Sequence, residues 1–524
     1  MLGLELVVAL GAAVVLGSVA AERMRVAQPV LLLVGGLLLS FIPAFRHVGL
    51  PPEVVLLLFL PALLYWESLT TSLREIRRFI RGIMLSSTLL VVVTAATVAA
   101  VAHALGLDWG PAWIVGAAVA PTDATAVAAL GRTLARRQIT VLRAESLIND
   151  GTALVIYGVA LSSAAGGGGF EPLLVTAEFV YSFVGGAAVG LAVAWVMLAL
   201  RRRIGNPLYG NAFTLLTPFV AFLCAELAHA SAVLAVVACG LYLSQAAPLA
   251  ISAYTRQQTG AVWTLASFLL NGALFVLVGI QLPAAVEGLT SAALTSALLI
   301  GAAVYVTILV TRLGVLILSA YIIRAIDRRP YQRQLRTTNR ARVVSTFAGF
   351  RGAVSLAVAL SIPDGGGVPA RDAIVFITAF VVVASLVVQG FALPKVIRWA
   401  HIPADTSVKE ELVLAQRTMA EEAFSAMPRL ARELGIADDV VERIRVEYVE
   451  HLSEMSAEYG ANDDDPAVLR SRQYSQLRLA LITHKRATVV RLRNTRVIDD
   501  TVLRQIQSLL DVEEVRLVRP QQSE

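Results

Sequence analysis

The chain has 524 residues, 57% of them hydrophobic and only 16% charged, with a mean hydropathy of +0.70. That composition excludes a water-soluble globular protein and describes a polytopic membrane protein. The formal charge of +6 and pI near 9.5 do not point to nucleic acid. The arginines fall mostly in short loops between apolar runs, where they act as topology signals, and no basic surface interleaved with aromatics is present.

A hydrocarbon core about 30 Å thick needs roughly 20 apolar residues per helix, and about thirteen candidate spans meet that rule. In chain order they are 2–20, 27–42, 53–69, 80–105, 111–130, 142–163, 173–200, 211–229, 231–247, 261–282, 291–323, 343–362 and 371–398, with almost no loop between 229 and 231. No basic region precedes Leu2, while Arg23 and Arg25 follow the first span, which is the charge order of a first helix with its N-terminus outside. Loops assigned inside carry Arg74, Arg77, Arg78 and Arg81, then Arg132, Arg136, Arg137 and Arg143, then Arg201 to Arg203, Arg256 and the run from Arg324 to Arg342. Those assigned outside carry only Arg46 and Arg371. An odd number of spans then puts the C-terminus in the cytoplasm. Cys224 and Cys239 lie inside apolar runs, the setting of small core residues rather than of disulfides or a metal site.

After Trp399 the composition turns to mixed charge, so the chain divides into a transmembrane region, 1–400, and a soluble cytoplasmic tail, 401–524. Val502, Leu503, Ile506, Leu509 and Leu510 repeat at helical spacing behind the capping candidates Asp499 and Asp500, which predicts short amphipathic helices. Asn462-Asp463-Asp464-Asp465-Pro466 reads as a loop between helices. The tail is either a bundle that supports folding or dimerisation, or a regulatory element.

Polar residues inside the apolar spans carry the functional signal, because an ionisable group at the bilayer centre costs about 2.5–3.5 kcal/mol on insertion scales. In the fifth span Pro121 removes a backbone donor midway along Ala120-Pro121-Thr122-Asp123, so the helix is expected to break there. Its freed carbonyls, with Thr122 and Asp123, can coordinate a cation; the alternative is a plain kink with Asp123 capping the next half-helix. The sixth span opens with Glu145-Ser146-Leu147-Ile148-Asn149-Asp150-Gly151. Ser146 and Asp150 share one helix face, and Glu145 and Asn149 share another turned by about 100°. Asp150 and Ser146, with the broken backbone near Thr122, form a hard-oxygen set suited to a small alkali cation. Glu145 needs a buried cationic partner, and Arg351, flanked by Gly349 and Gly352 in the twelfth span, is the expected one. Arg312, deep in the eleventh span, is read as snorkelling or pairing structurally. Glu67, near the inner end of the third span, is either a cavity-mouth carboxylate or a solvated helix end.

As a set, Ala120 to Asp123, Glu145 to Gly151 and Gly349 to Gly352 resemble, in order and spacing, the signature motifs of sodium/proton antiporters of the monovalent cation:proton antiporter-1 family. The resemblance covers about residues 1–400, and Leu60-Pro61-Ala62-Leu63-Leu64-Tyr65 before Glu67 adds to it, although the acidic residue is displaced by one position relative to many members. It implies an all-α, NhaA-like fold of inverted repeats, with spans five and twelve as the crossing broken helices, a core domain and a dimerisation domain, and hence a homodimer. An echo between 121–130 and 351–360 is compatible with such repeats. Carried over by motif, Asp150 is the shared proton and cation site, with Thr122, Asp123 and Ser146 as cation neighbours. Asn149, Glu145 and Arg351 form the supporting network. The Asn149-Asp150 pair implies electroneutral one-for-one exchange.

A single buried carboxylate can be neutralised by H⁺ or by Na⁺ but not comfortably by both, and that competition is coupling. The expected activity is therefore alternating-access exchange of Na⁺ or Li⁺ for H⁺ in the bacterial inner membrane, with no enzymatic cofactor. K⁺ is the nearest rival ion. A cation channel or a tail-driven sensor would use the same carboxylates. An intramembrane hydrolase is disfavoured, since neither Ser/His nor paired catalytic aspartates are arranged for one.

Overall fold

An apolar run in hydrocarbon must satisfy its backbone internally, and the helix does so within one segment. In the computed structural model, all residues are described except 1, 25, 47–54, 124–135, 165–171, 204–205, 251–252, 288, 327–337, 363–367, 402–406, 460–465, 496, 498–499 and 519–524. Among the described residues every regular element is helical, and β-type pairing is confined to an isolated antiparallel bridge between Asp123 and Phe350. The chain divides into two compact units, Met1–Ala404 and Asp405–Glu524.

The first unit runs α1 (Leu2–Met24), α2 (Gln28–Ser40), α3 (Leu60–Thr70), α4 (Leu73–Ala104), α5 (Trp109–Val119), α6 (Arg136–Ala164), α7 (Pro172–Arg202) and α8 (Pro207–Leu227). It continues with α9 (Ala232–Ala250), α10 (Ala253–Glu287), α11 (Ser291–Ile326), α12 (Asn339–Phe347), α13 (Ala353–Leu360), α14 (Arg371–Ala384) and α15 (Gly390–Ala400). A π turn, Val55–Phe59, leads into α3, and another, Ser385–Gln389, joins α14 to α15. Among the described residues eight helical runs are long and apolar enough to cross a membrane: α1, α4, α6, α7, α8, α10, α11 and the continuous α14–α15 run. Helices α2, α3, α5 and α9 are apolar but shorter. The twelfth candidate span is no single helix, because it divides into α12 and α13.

Helix ends follow local chemistry. Asn206 caps α8, its side chain accepting from Leu208 N at 2.9 Å, with Pro207 as the first helical residue. The link from α8 to α9 is the four-residue turn 228–231, in which His229 takes the left-handed conformation (φ 52°) and Ala230 N donates back to Ala225 O at 2.9 Å. Ser231 then receives Leu234 N on its hydroxyl at 3.3 Å and starts α9.

Packing in the first unit is organised as apolar clusters that meet around α6 and α13. One gathers α2, α10 and the α12–α15 segment; a second gathers α4, α5, α11 and α14; a third gathers α3, α7, α8 and α9. Leu154 on α6 and Val354 on α13 pack against both the second and the third. Polar residues on those two helices are thereby held inside dry walls.

The second unit is α16 (Ser407–Leu434), α17 (Asp438–Tyr459), α18 (Pro466–Asn494) and α19 (Asp500–Val518). These helices are longer than the short ones expected, with 28, 22, 29 and 19 residues. Gly435, at φ 64°, ends α16 in a left-handed cap. The acidic loop 462–465 and Asp499 lie outside the described residues.

Close approach of α2 to α10 requires glycine on both sides. A Cβ on Gly36 would fall on the Val276 carbonyl, and one on Gly279 on the Leu33 carbonyl, whereas Gly35 has open space. Gly36→Val is therefore expected to destabilise the protein by about 1–3 kcal/mol through overpacking, with Gly35→Ala near neutral. The check is the thermal unfolding midpoint of both variants in detergent.

Candidate functional site

Pro121 ends α5, as its missing N–H requires: the helix stops at Val119, and the chain leaves helical geometry through Thr122 to Asp123. The rest of that span, 124–130, and with it the proposed repeat echo, lies outside the described residues. In the twelfth span α12 stops at Phe347, and Gly352 is the N-cap of α13. The two interruptions meet, Asp123 N donating to Phe350 O at 2.8 Å. A Cβ at position 352 would overlap the Asp123 carboxylate, so glycine is what permits the approach.

Each interrupted helix ends with unpaired carbonyls carrying roughly half a negative charge. One guanidinium serves both ends. Arg351, 1% exposed, donates from Nε to Val119 O at 2.9 Å and from Nη1 to Gly349 O at 2.5 Å. Its own N–H donates to Ser385 Oγ at 3.1 Å, at the first residue of the second π turn.

Glu145 does not pair with Arg351, as the sequence predicts, but with Arg312, whose Nη1 stands 2.5 Å from Glu145 Oε1. The reason is competition: carbonyls freed by the helix breaks occupy the Arg351 guanidinium. Arg312 is 0% exposed, so it does not snorkel, and its Nε also donates to Ser345 O at 3.1 Å near the end of α12. Room for it comes from Gly349, where a Cβ would stand 2.6 Å from Arg312 Nε. A buried ion pair with an added backbone bond offsets two desolvation costs at once.

On α6 the two expected faces separate. Ser146 Oγ donates to Thr122 O at 2.7 Å, tying α6 to the extended segment. Asn149 is saturated when its amide nitrogen faces Ser87 O (3.2 Å) and Glu145 O (2.9 Å) and its oxygen accepts from Thr122 Oγ1 (3.1 Å). Asp150, 8% exposed, faces a cavity of about 50 Å³ shared with Glu67, Thr122, Asp123 and Ser146. That volume holds a few waters or a partly hydrated small cation. Phe59, Leu64 and Phe275 supply apolar walls.

Three carboxylates therefore converge on one small cavity. Among the described residues neither Asp150 nor Glu67 has an ion-pair or side-chain hydrogen-bond partner. Buried carboxylates without a partner must take up a proton or a cation. Neutral oxygens at Ser146, Thr122, Ser355 and Asn271 complete a hard-ligand environment of the kind alkali cations use. Asn271 and Ser355 are not singled out by the sequence reading. Their signals are faint: one amide within the apolar tenth span, and one hydroxyl four residues after Arg351.

The sodium/hydrogen exchanger transmembrane family matches residues 9–399. The chain belongs to the sodium/hydrogen exchanger family. Along its whole length it is 43% identical to the uncharacterized Na⁺/H⁺ exchanger Rv2287 of Mycobacterium tuberculosis, covering 97% of that protein. It is 30% identical to the uncharacterized Na⁺/H⁺ exchanger YjcE of Escherichia coli, over 95% of each chain. The solved sodium proton antiporter MjNhaP1 of Methanocaldococcus jannaschii superposes with a TM-score of 0.58 at 19% identity, over 76% of this chain and 99% of that one, which carries the fold. As a sodium/hydrogen exchanger the protein is a multi-pass membrane transporter, not an enzyme, and it exchanges monovalent cations for protons.

Removing one partner of the buried pair isolates its structural role in the exchanger. Glu145→Gln leaves Arg312 as an uncompensated buried charge and is expected to cost about 3–5 kcal/mol of stability. Glu145→Gln with Arg312→Met should recover part of that loss. Thermal unfolding of both variants in detergent reads the difference, and equal losses would remove the pair from the stabilising interactions.

Proposed function

We propose that the exchanger works by alternating access, with Asp150 as the shared site at which Na⁺ or Li⁺ and H⁺ replace one another. The observation that carries this reading is the convergence of Asp150, Asp123 and Glu67 on one small cavity, with neither Asp150 nor Glu67 in an ion pair among the described residues. The uncompensated charge favours any species that brings one positive charge, and the cavity admits few such species at a time. Ser146, Thr122 and Asp123 are the cation's neighbours, and Glu67 adds a carboxylate from α3. Glu145, Arg312, Asn149 and Arg351 hold the frame through bonds to one another and to backbone.

Competition for one carboxylate couples the two fluxes, provided the core moves only when Asp150 is neutralised. Either occupant contributes one positive charge, so the moving core carries the same charge in both directions and exchange is electroneutral. Asn149 supports this reading, being an uncharged amide engaged in hydrogen bonds where an aspartate would add a second titrating group. The exchanger is proposed to be a homodimer in the bacterial inner membrane, N-terminus outside and tail in the cytoplasm, as the arginine-rich loops suggest.

The test is pH-gradient dequenching in proteoliposomes on addition of Na⁺, Li⁺ or K⁺, with and without an imposed membrane potential. Wild type should respond to Na⁺ and Li⁺ independently of voltage, and Asp150→Asn should fall to background while keeping its elution profile and unfolding midpoint. Full exchange by Asp150→Asn would reject the assignment, and a voltage-dependent rate would reject electroneutrality. A response to K⁺ alone would change the ion but not the site. Glu67→Gln should retain exchange while raising the half-saturating Na⁺ concentration about tenfold, the equivalent of roughly 1.4 kcal/mol. An unchanged value would remove Glu67 from the ligand set.

A further inference from the structure

Two polar side chains on the wall of the ion cavity are engaged by no protein group. Asn271 on α10 and Ser355 on α13 border the cavity and, among the described residues, make no hydrogen bond or ion pair. Ser355 is 1% exposed. An amide or a hydroxyl held in a dry wall costs free energy unless something bonds to it. Their chain neighbours Leu270 and Gly272, and Val354 and Leu356, carry no polar side chain to do so. What these two oxygens can bond to lies in the cavity.

The wall that carries Asn271 is held from behind. At the next position a Cβ would stand 2.6 Å from Val14 Cγ1, so glycine at 272 lets α1 press on α10. Further along α10, Gly279 lies against the Leu33 carbonyl of α2. Asn271 is turned by about 100° from Gly272, and it borders the cavity from a helix with little room to retreat. The helix that carries Ser355 is also fixed, because its N-cap, Gly352, abuts the Asp123 carboxylate. A cavity of about 50 Å³ between such walls has little freedom to widen around a larger ion. Carboxylates supply the charge there, while ligand number, cavity size and rigidity separate cations that differ in radius.

We infer that, at the site proposed above for exchange, Asn271 Oδ1 and Ser355 Oγ are the specificity-determining ligands. These two neutral oxygens complete the shell of Na⁺ or Li⁺ and disfavour the larger K⁺.

The test titrates full-length protein in detergent with NaCl, LiCl or KCl, keeping ionic strength constant with choline chloride. The rise in unfolding midpoint gives an apparent affinity for each ion. Wild type should respond to Na⁺ and Li⁺ at lower concentration than to K⁺, and equal responses would overturn the inference. Asn271→Ala should raise the half-saturating Na⁺ and Li⁺ concentrations about tenfold, the scale of one lost ligand to a charged group, and the K⁺ value about twofold at most. Ser355→Ala should act in the same direction. Asn271→Leu fills the volume without an oxygen and should match alanine; a wild-type ion preference in the leucine variant would reduce Asn271 to packing and overturn the inference. So would a proportional change for all three ions. Asn271→Ser keeps an oxygen and should fall between wild type and alanine, which preserves the test if the alanine variant does not fold.

Asp150→Asn in the same titration separates this inference from the exchange reading. If that variant keeps its Na⁺ response while Asn271→Ala loses the ion preference, the selecting ligands stand and the Asp150 site falls. If it loses the response while the Asn271 variants keep the wild-type preference, the reverse holds. A wild type that no cation stabilises would overturn both.

Discussion

A helix broken inside a membrane protein leaves carbonyls that nothing in hydrocarbon can satisfy, and the whole site depends on how they are closed. Here two breaks are brought together so that one cation closes both. Arg351 bonds to Val119 O and Gly349 O while Asp123 N bonds to Phe350 O, and these bonds hold two extended segments side by side. Without the guanidinium, two negative helix ends would face each other across a few ångströms. With it, the segment carrying Thr122 and Asp123 is held in place, and Ser146 can reach the Thr122 carbonyl.

That arrangement divides the charged residues by task. Glu145 and the two arginines are consumed by structure, buried and bonded to one another or to backbone. Asp150, one helix turn further along α6, faces the cavity instead. Five residues, about 140° around one helix, are enough to place a buried ion pair and a cavity-facing carboxylate side by side. The π turn at Ser385–Gln389 supports the first of these groups, bringing Ser385 against the Arg351 backbone.

The fold class and several of the residues that line the cavity were legible because membranes simplify sequence. Apolar length marks the helices, and any charge within them stands out. Pro121 announced the end of α5 through a property of one residue, and the i, i+4 spacing separated the faces of α6 without any tertiary knowledge. The partner of Glu145 was not legible. Arg312 and Arg351 are equally conspicuous in sequence, and choosing between them requires knowing that freed carbonyls take Arg351 and that Gly349 admits Arg312. Asn271 and Ser355 were missed for a related reason: an isolated amide or hydroxyl in an apolar helix is common, and only the cavity distinguishes these two. The tail helices were expected to be short from the spacing of Val502 to Leu510, yet packing of α18 against α19 accompanies helices of 29 and 19 residues.

The four-residue turn between α8 and α9 bears on how the chain enters a bilayer. So short a link leaves no polar loop at which insertion could pause between the two helices. Each alone would also have to present unpaired turn carbonyls and amides to lipid, whereas the bonds at Ala230 and Ser231 close them as soon as the helices fold back. The pair is therefore expected to integrate as one helical hairpin, with the exposed Glu226 and His229 at its tip.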